Sequence, residues 1–106
     1  MNIIAITACP TGIAHTFMAK KALEDAAKKL GHTIKVETQG ATGIENELNA
    51  FDIENADVLI LAVEVGIAKK ERFEKIKKVE VPVATAVKNA ELLINKVVAK
   101  LKEGEK

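Results

Sequence analysis

Cys9, Thr11, His15 and Thr16 fall within one eight-residue stretch, Cys9-Pro-Thr-Gly-Ile-Ala-His-Thr16, and Cys9 is the only cysteine of the chain. A thiol, two hydroxyls and an imidazole this close together are the groups that a nucleophile and an anion site require. Their flanks decide whether they can act together. Asn2 to Ala8 is a nearly continuous apolar run, which reads as a strand buried on both faces of a parallel sheet. After Cys9-Pro-Thr-Gly12 a helix is predicted to run to about Leu30, with Met18, Ala19, Ala22, Leu23, Ala26, Ala27 and Leu30 on one face. The cysteine is thus expected where a buried strand turns into a helix. Unpaired backbone N–H groups and the helix dipole favour an anion there.

That environment lowers a thiol's pKa. Helix starts and nearby cations bring a cysteine from about 8.5 to about 3.5–7.5, so that the thiolate is present at neutral pH. Once the sulfur attacks a phosphoryl group, the N–H groups that stabilised the thiolate can hold the phosphate oxygens. Gly12 allows a tight curl, Thr11 and Thr16 supply hydroxyls, and His15 supplies a donor that can carry charge. A free cysteine is often only a small buried hydrophobe, and Thr11 and Thr16 could be plain helix caps. The Pro-Thr-Gly that follows Cys9 and the helix start favour the reactive reading. His32, after Gly31 in a distant turn, reads as surface.

The remaining elements must build a frame for this turn. Gly31 suits the position just past a helix end. Thr33 to Thr38 alternates and reads as a second strand, Gln39 to Gly43 as a loop, and Ile44 to Phe51 as a stretch containing a short helix. Ala56 to Val63 is the clearest third strand, Glu64 to Lys70 a loop, and Glu71 to Lys77 a short helical turn. Val79 to Val83 reads as a fourth strand, placed at the sheet edge because Pro82 removes a ladder donor. Asn89 can cap a last helix to about Lys102, with Ala90, Leu93, Ile94, Val97, Val98 and Leu101 as its apolar stripe. The expected fold is α/β, a four-stranded parallel sheet in flavodoxin-like order 2-1-3-4 with helices on both faces. Ligands bind such sheets beyond the carboxyl ends of the strands, at the switch point, which is where Cys9 falls.

Composition narrows the function classes. At 106 residues the chain suits a single domain, 1–106. Aromatics are 3% and net charge is +1, so neither base-stacking platforms nor an overall field for nucleic acid is expected. Lys69, Lys70, Arg72, Lys75, Lys77 and Lys78 cluster, and read either as a solvated surface or as a docking patch for an acidic partner. One cysteine allows no intrachain disulfide, Cys-x-x-Cys pair or zinc cluster, so no metal or cofactor is expected. No signal peptide or apolar stretch of about 20 residues is present. The expectation is a cytoplasmic protein with a reduced thiol.

The stretch Cys9-Pro-Thr-Gly-Ile-Ala-His-Thr-Phe-Met-Ala19 resembles the phosphocysteine motif of the fructose-specific enzyme IIB family of the bacterial sugar phosphotransferase system. Val36-Glu-Thr-Gln-Gly40, Asp52-Ile-Glu-Asn-Ala-Asp57, Glu71-Arg-Phe73 and Val81-Pro-Val83 resemble its later landmarks, so the likeness spans nearly the whole chain. The resemblance implies a phosphotransferase component. Phosphoenolpyruvate would charge enzyme I, a histidine phosphocarrier and then a histidine of enzyme IIA. Cys9 would take that phosphoryl group and pass it to fructose or a related sugar on the membrane protein enzyme IIC. Such a carrier would be a monomer that docks at the inner face of the membrane without spanning it. The resemblance places the phosphate cradle on Pro10, Thr11, Gly12, Ile13, Ala14, His15 and Thr16, and a neighbouring wall on Thr38, Gln39 and Gly40. Ala41 stands where Ser is often expected in this family. Val65 to Ala68 and Glu74 to Lys78 are also less typical of it.

Two other readings compete. Low-molecular-weight phosphatases place an Arg and then Ser or Thr after a Cys and five residues. Here the position is His15, followed by Thr16, and an imidazole cannot reproduce the planar fork of a guanidinium. Neither proline follows an aspartate that could serve as general acid. A regulatory IIB-like module is the second alternative, because a phosphorylatable Cys9 serves signalling as well as transport.

Overall fold

The computed structural model describes residues 1–8, 13–40, 43–64 and 66–104, and for 13–15 and 102–104 the backbone alone. Ten elements follow in order. They are β1 (Asn2–Ala8), α1 (Ile13–Lys29), β2 (Thr33–Gly40), β3 (Gly43–Glu45), α2 (Ala50–Glu54), β4 (Val58–Val63), a 3-10 turn (Lys70–Phe73), β5 (Lys78–Val81), α3 (Val83–Lys88) and α4 (Ala90–Gly104).

Strand order across the sheet is β3-β2-β1-β4-β5. β1 pairs in parallel with β2 and β4, and β4 with β5. The expected α/β class and the neighbours of the four expected strands are present. The expectation of a purely parallel four-stranded sheet is corrected, because β3 adds an antiparallel fifth strand beside β2. Of the loop expected at Gln39 to Gly43, Gln39 and Gly40 instead end β2 and Gly43 begins β3, where it pairs with Gly40, and residues 41–42 lie outside the described residues. Gly43 takes φ 107°, a conformation that costs a residue with a Cβ far more.

Period-two alternation sorts β1 and β4 between two cores. Ile3, Ala5, Val58, Ile60 and Ala62 face Ala19, Leu23, Ala27, Val83, Ala86, Ile94 and Val97, so α1, α3 and α4 cover one face. Ile4, Ile6, Leu59 and Leu61 pack with Leu48 and Phe73 on the other, where Ile53 of α2 closes the margin. Ala19, Ala26 and Ala27 put small buried side chains on the face that α1 turns to this core.

The ends of α1 and α2 follow from local chemistry. His32 N donates to Ala27 O and Gly31 N to Lys28 O, with Gly31 at φ 80°, which ends α1 in a left-handed cap. Asn49 and Asp52 form a reciprocal capping box for α2. That box starts the short helix at Ala50, at the end of the Ile44–Phe51 stretch expected to contain it, and α2 runs past that stretch to Glu54. Met18, expected in the apolar stripe of α1, is 51% exposed, because Ala19 and Leu23 take the inward face. The expected last helix is present as α4, and nothing in the sequence signals the short α3 before it, of which Asn89 is the C-cap. β5 is an edge strand as expected, yet it ends at Val81, and Pro82 opens α3. No described helix is long and apolar enough to cross a membrane.

Phe73 has no exposed surface and fills the second core, whereas Phe51 is 71% exposed. Phe73→Ala should therefore lower unfolding free energy by about 3–5 kcal/mol, and Phe51→Ala by no more than about 0.5 kcal/mol. Urea denaturation of the two variants checks the contrast.

Candidate functional site at the carboxyl edge of the sheet

β1 lies at the centre of the sheet, and the chain leaves it first for β2 on one side and later for β4 on the other. This is the switch point, where crossovers diverge and leave a crevice beyond the strand ends. Ala8, the last residue of β1, pairs in register with Gln39 of β2 and Val63 of β4. Glu64 N donates to Ala8 O at 3.0 Å, so the chain after β4 stays against β1. Five residues after Ala8, α1 begins at Ile13.

Cys9, Pro10, Thr11 and Gly12 lie outside the described residues. Ile13, Ala14 and His15 form the first turn of α1, and their side chains also lie outside the description. Thr16 is buried, and its Oγ1 has no hydrogen-bond partner among the described residues. Thr7 Oγ1 donates to the Thr16 carbonyl at 3.2 Å, which ties the second half of that turn to β1. Of the expected wall, Thr38 and Gln39 are buried at the end of β2 and Gly40 is exposed.

The strongest polar structure beside this edge centres on Glu37, whose side chain is fully buried. Its Oε1 accepts from Arg72 Nη1 and Leu48 N, each at 2.8 Å. Its Oε2 accepts from Arg72 Nη2 at 3.0 Å and Gln39 Nε2 at 2.7 Å. Burial pushes the carboxyl upward, but the hydrogen bonds from Arg72, Gln39 and Leu48 and the guanidinium charge outweigh it. They hold Glu37 below the usual carboxylate range. The hydrogen bond to Glu37 in turn raises Arg72.

Arg72 is the only arginine in the chain. Besides Glu37, it donates from Nη1 to Leu48 O at 2.8 Å, from Nε to Lys69 O at 2.9 Å and from Nη2 to Ala68 O at 3.4 Å. Its five N–H donors are therefore all engaged, and its Cζ lies 4.6 Å from the Phe73 ring centroid. The reading of Arg72 as part of a solvated or docking charge cluster is corrected. Lys69 also pairs within the chain, with Glu47 at 3.0 Å. No guanidinium is left over to bind phosphate as it would in a phosphatase.

Sequence reasoning missed Glu37, Arg72 and Thr7 as parts of this region. A polar residue in an alternating strand reads as solvent-facing, and only the bidentate fit of Glu37 with the lone arginine indicates otherwise. At a second strand end, Asp52 is held low by its hydrogen bond from Lys35, at 2.7 Å, and by Asn49 N.

A lowered folded-state pKa means that Glu37 contributes stability in full above its unfolded value of about 4.3. That contribution is lost as pH falls through the lower folded value. Glu37→Gln leaves a guanidinium without its counter-charge and should cost about 3–5 kcal/mol at pH 7. The gap to the unsubstituted protein should narrow as pH falls below the unfolded value of about 4.3, where the unfolded chain takes up a proton that folded Glu37 resists. Denaturant titrations at pH 7 and pH 3 check both the size and the sign.

Comparison with known proteins agrees with this architecture. Residues 4–96 match the family model described as the lactose/cellobiose-specific IIB subunit of the PTS system. The chain is 51% identical over 100 residues to the PTS system fructose-like EIIB component 2 of Escherichia coli K12, covering 94% of each. It is 47% identical over 96 residues to fructose-like EIIB component 1 of the same organism, covering 91% of this chain and 89% of that one. The solution structure of the enzyme IIB subunit of the PTS system from E. coli K12 superposes with a TM-score of 0.91 at 43% identity, over 99% of this chain and 97% of that one. With the family matched along almost its whole length and half of its residues shared with full-length relatives, this chain belongs to the enzyme IIB family of the sugar phosphotransferase system, in its fructose-like branch.

Proposed function

We propose that the chain is a phosphocarrier that holds a phosphoryl group on Cys9 during sugar uptake. The observation that carries the reading is the junction of β1 and α1. Cys9 directly follows Ala8 at the carboxyl end of the central strand, and a 17-residue helix begins at Ile13. The positive end of that helix favours a thiolate, and later a phosphate. Thr16 supports the reading, because a buried hydroxyl without a described partner is free to serve an anion.

In the first step the Cys9 thiolate attacks the phosphorus of a phosphohistidine on enzyme IIA. A P–S bond forms, the P–N bond breaks, and the released imidazole takes up a proton. In the second step a sugar hydroxyl on enzyme IIC attacks the same phosphorus, its proton leaving to a base. An O–P bond forms and the P–S electron pair returns to Cys9 as thiolate. Thr11 to Thr16 hold the phosphoryl oxygens through main-chain N–H groups and hydroxyls, with His15 as a donor that can carry charge, while Pro10, which has no N–H, stiffens the turn. The protein works as a cytoplasmic monomer that meets IIC at the inner membrane face.

The engagement of Arg72 favours carriage over hydrolysis. A phosphatase stabilises charge on the transferring phosphoryl with a guanidinium, and the one guanidinium here is turned inward against Glu37. The family description names lactose and cellobiose, whereas relatives sharing about half their residues along the full length are fructose-like. The sugar assigned here follows the relatives: fructose or a close analogue.

Cys9→Ser should keep the fold and lose the thiol-linked phosphate obtained from phosphoenolpyruvate with enzyme I, the histidine carrier and IIA. Intact mass with the adduct's pH stability reads this, and full labelling of the serine variant would defeat the assignment. Iodoacetamide should alkylate Cys9 with a pH midpoint well below the ordinary thiol value of about 8.5. A midpoint at the ordinary value would contradict activation by the helix.

A further inference from the structure

Gln39 has no side-chain N–H left to donate to an anionic ligand. Its Oε1 accepts from Ala68 N at 2.8 Å, and its Nε2 donates to Ala68 O at 3.2 Å and to Glu37 Oε2 at 2.7 Å. A primary amide that pairs with both the N–H and the C=O of one residue acts as a short strand, and it joins the main chain at Ala68 to the end of β2. Arg72 fastens the same segment a second time, through Lys69 O and Ala68 O, while Glu37 fixes Arg72. Lys69 is held at φ 58°, ψ 36°, a left-handed conformation that costs a non-glycine residue on the order of 1 kcal/mol and persists only where its surroundings impose it.

The location gives this clamp a consequence. Gln39 is the register partner of Ala8, the residue before Cys9. On the other side of β1, Glu64 N is bonded to Ala8 O. The chain leaving β4 therefore lies at Glu64 against one side of the β1 terminus, and at Ala68 it is tied down by Gln39 on the other. It borders the crevice in which Cys9 chemistry takes place.

We propose that Gln39 is a positioning residue, which with the Glu37–Arg72 pair holds main chain 66–69 as a fixed rim beside Cys9 and does not itself contact phosphate. The inference rests on the phosphocysteine reading and replaces the expected role of Gln39 as a wall in contact with ligand. A fixed rim keeps the crevice in one shape for the incoming phosphohistidine and limits water at the phosphocysteine. A loose rim misplaces reacting groups, and misplacement costs rate more than binding.

Gln39→Met conserves length and apolar bulk and removes all three hydrogen bonds. Gln39→Glu keeps an acceptor for Ala68 N but removes both donations. Three quantities would be measured on the full chain: exchange of the Ala68 amide hydrogen, transfer from phosphorylated IIA as kcat and KM, and the lifetime of the phosphoprotein. In the unsubstituted chain the Ala68 amide should be protected. In Gln39→Met its exchange should accelerate about tenfold, kcat should fall about tenfold with KM within about twofold, and the phosphoprotein should hydrolyse faster. Gln39→Glu should accelerate exchange less than Gln39→Met while still lowering kcat, and it serves alone if the Met variant does not fold.

An unprotected Ala68 amide in the unsubstituted chain would overturn the clamp. Accelerated exchange with unchanged kcat and phosphoprotein lifetime would overturn the positioning role and leave the phosphocarrier reading standing. A rise in KM alone would mean that Gln39 belongs to the docking surface, which also overturns it. Absence of phosphate on Cys9 of the unsubstituted chain would defeat the phosphocarrier reading, and the positioning role with it.

Discussion

A carboxylate removed from water must recover its lost hydration from fixed donors, and the way Glu37 does so organises one side of this protein. Four hydrogen bonds reach its two oxygens, from the guanidinium, a side-chain amide and a backbone N–H. Each donor comes from a different part of the chain: Arg72 from the 3-10 turn, Gln39 from β2, and Leu48 from the segment before α2. No subset satisfies the charge, so the segments must arrive together. A buried ion pair is weak evidence for net stability, because desolvation offsets the attraction. Its effect here is to select one arrangement of three connections over looser ones.

The hydrophobic framework allows that selection but cannot make it. Alternation on β1 and β4 fixes which side chains face α1, α3 and α4 and which face Phe73 and Leu48. Apolar burial is non-directional, so it would tolerate several courses for the chain between β4 and β5. Phe73 anchors the 3-10 turn in the second core, and Arg72, its neighbour in sequence, converts that anchor into a directed contact with Glu37. Directionality then passes along Gln39 and Ala68 to the edge of the crevice.

Sequestering the single arginine bears on the chemistry as well. Phosphoryl groups can be bound by guanidinium or by main-chain N–H groups, and the two differ in how much they stabilise a transition state for attack by water. A carrier has to keep its phosphoryl group until a specific acceptor arrives. With Arg72 saturated by Glu37 and backbone carbonyls, what remains among the described residues at the switch point is the start of α1 and the Thr16 hydroxyl. That environment suits holding a phosphoryl group more than discharging it.

The α/β class, the four parallel strands and the place of Cys9 after β1 were legible in the sequence, because each rests on local periodicity or on the order of neighbours along the chain. The family that the Cys9–Thr16 stretch suggested was legible for the same reason, and the comparisons bear it out. The antiparallel β3 was not legible, since three residues carry no periodicity and depend on pairing with β2. Met18 and Arg72 were assigned to the wrong surroundings because exposure on a helix or in a charge run is set by what packs against it. The Glu37–Arg72 pair spans 35 positions and the Gln39–Ala68 pairing 29. Both exist only because the sheet brings the end of β2 beside the chain leaving β4. The sequence by itself determined the family and the order of strands and helices, with Cys9 between β1 and α1. The tertiary structure alone decided which distant polar groups satisfy one another, because a buried hydrogen bond depends on position in space and leaves no periodic trace along the chain.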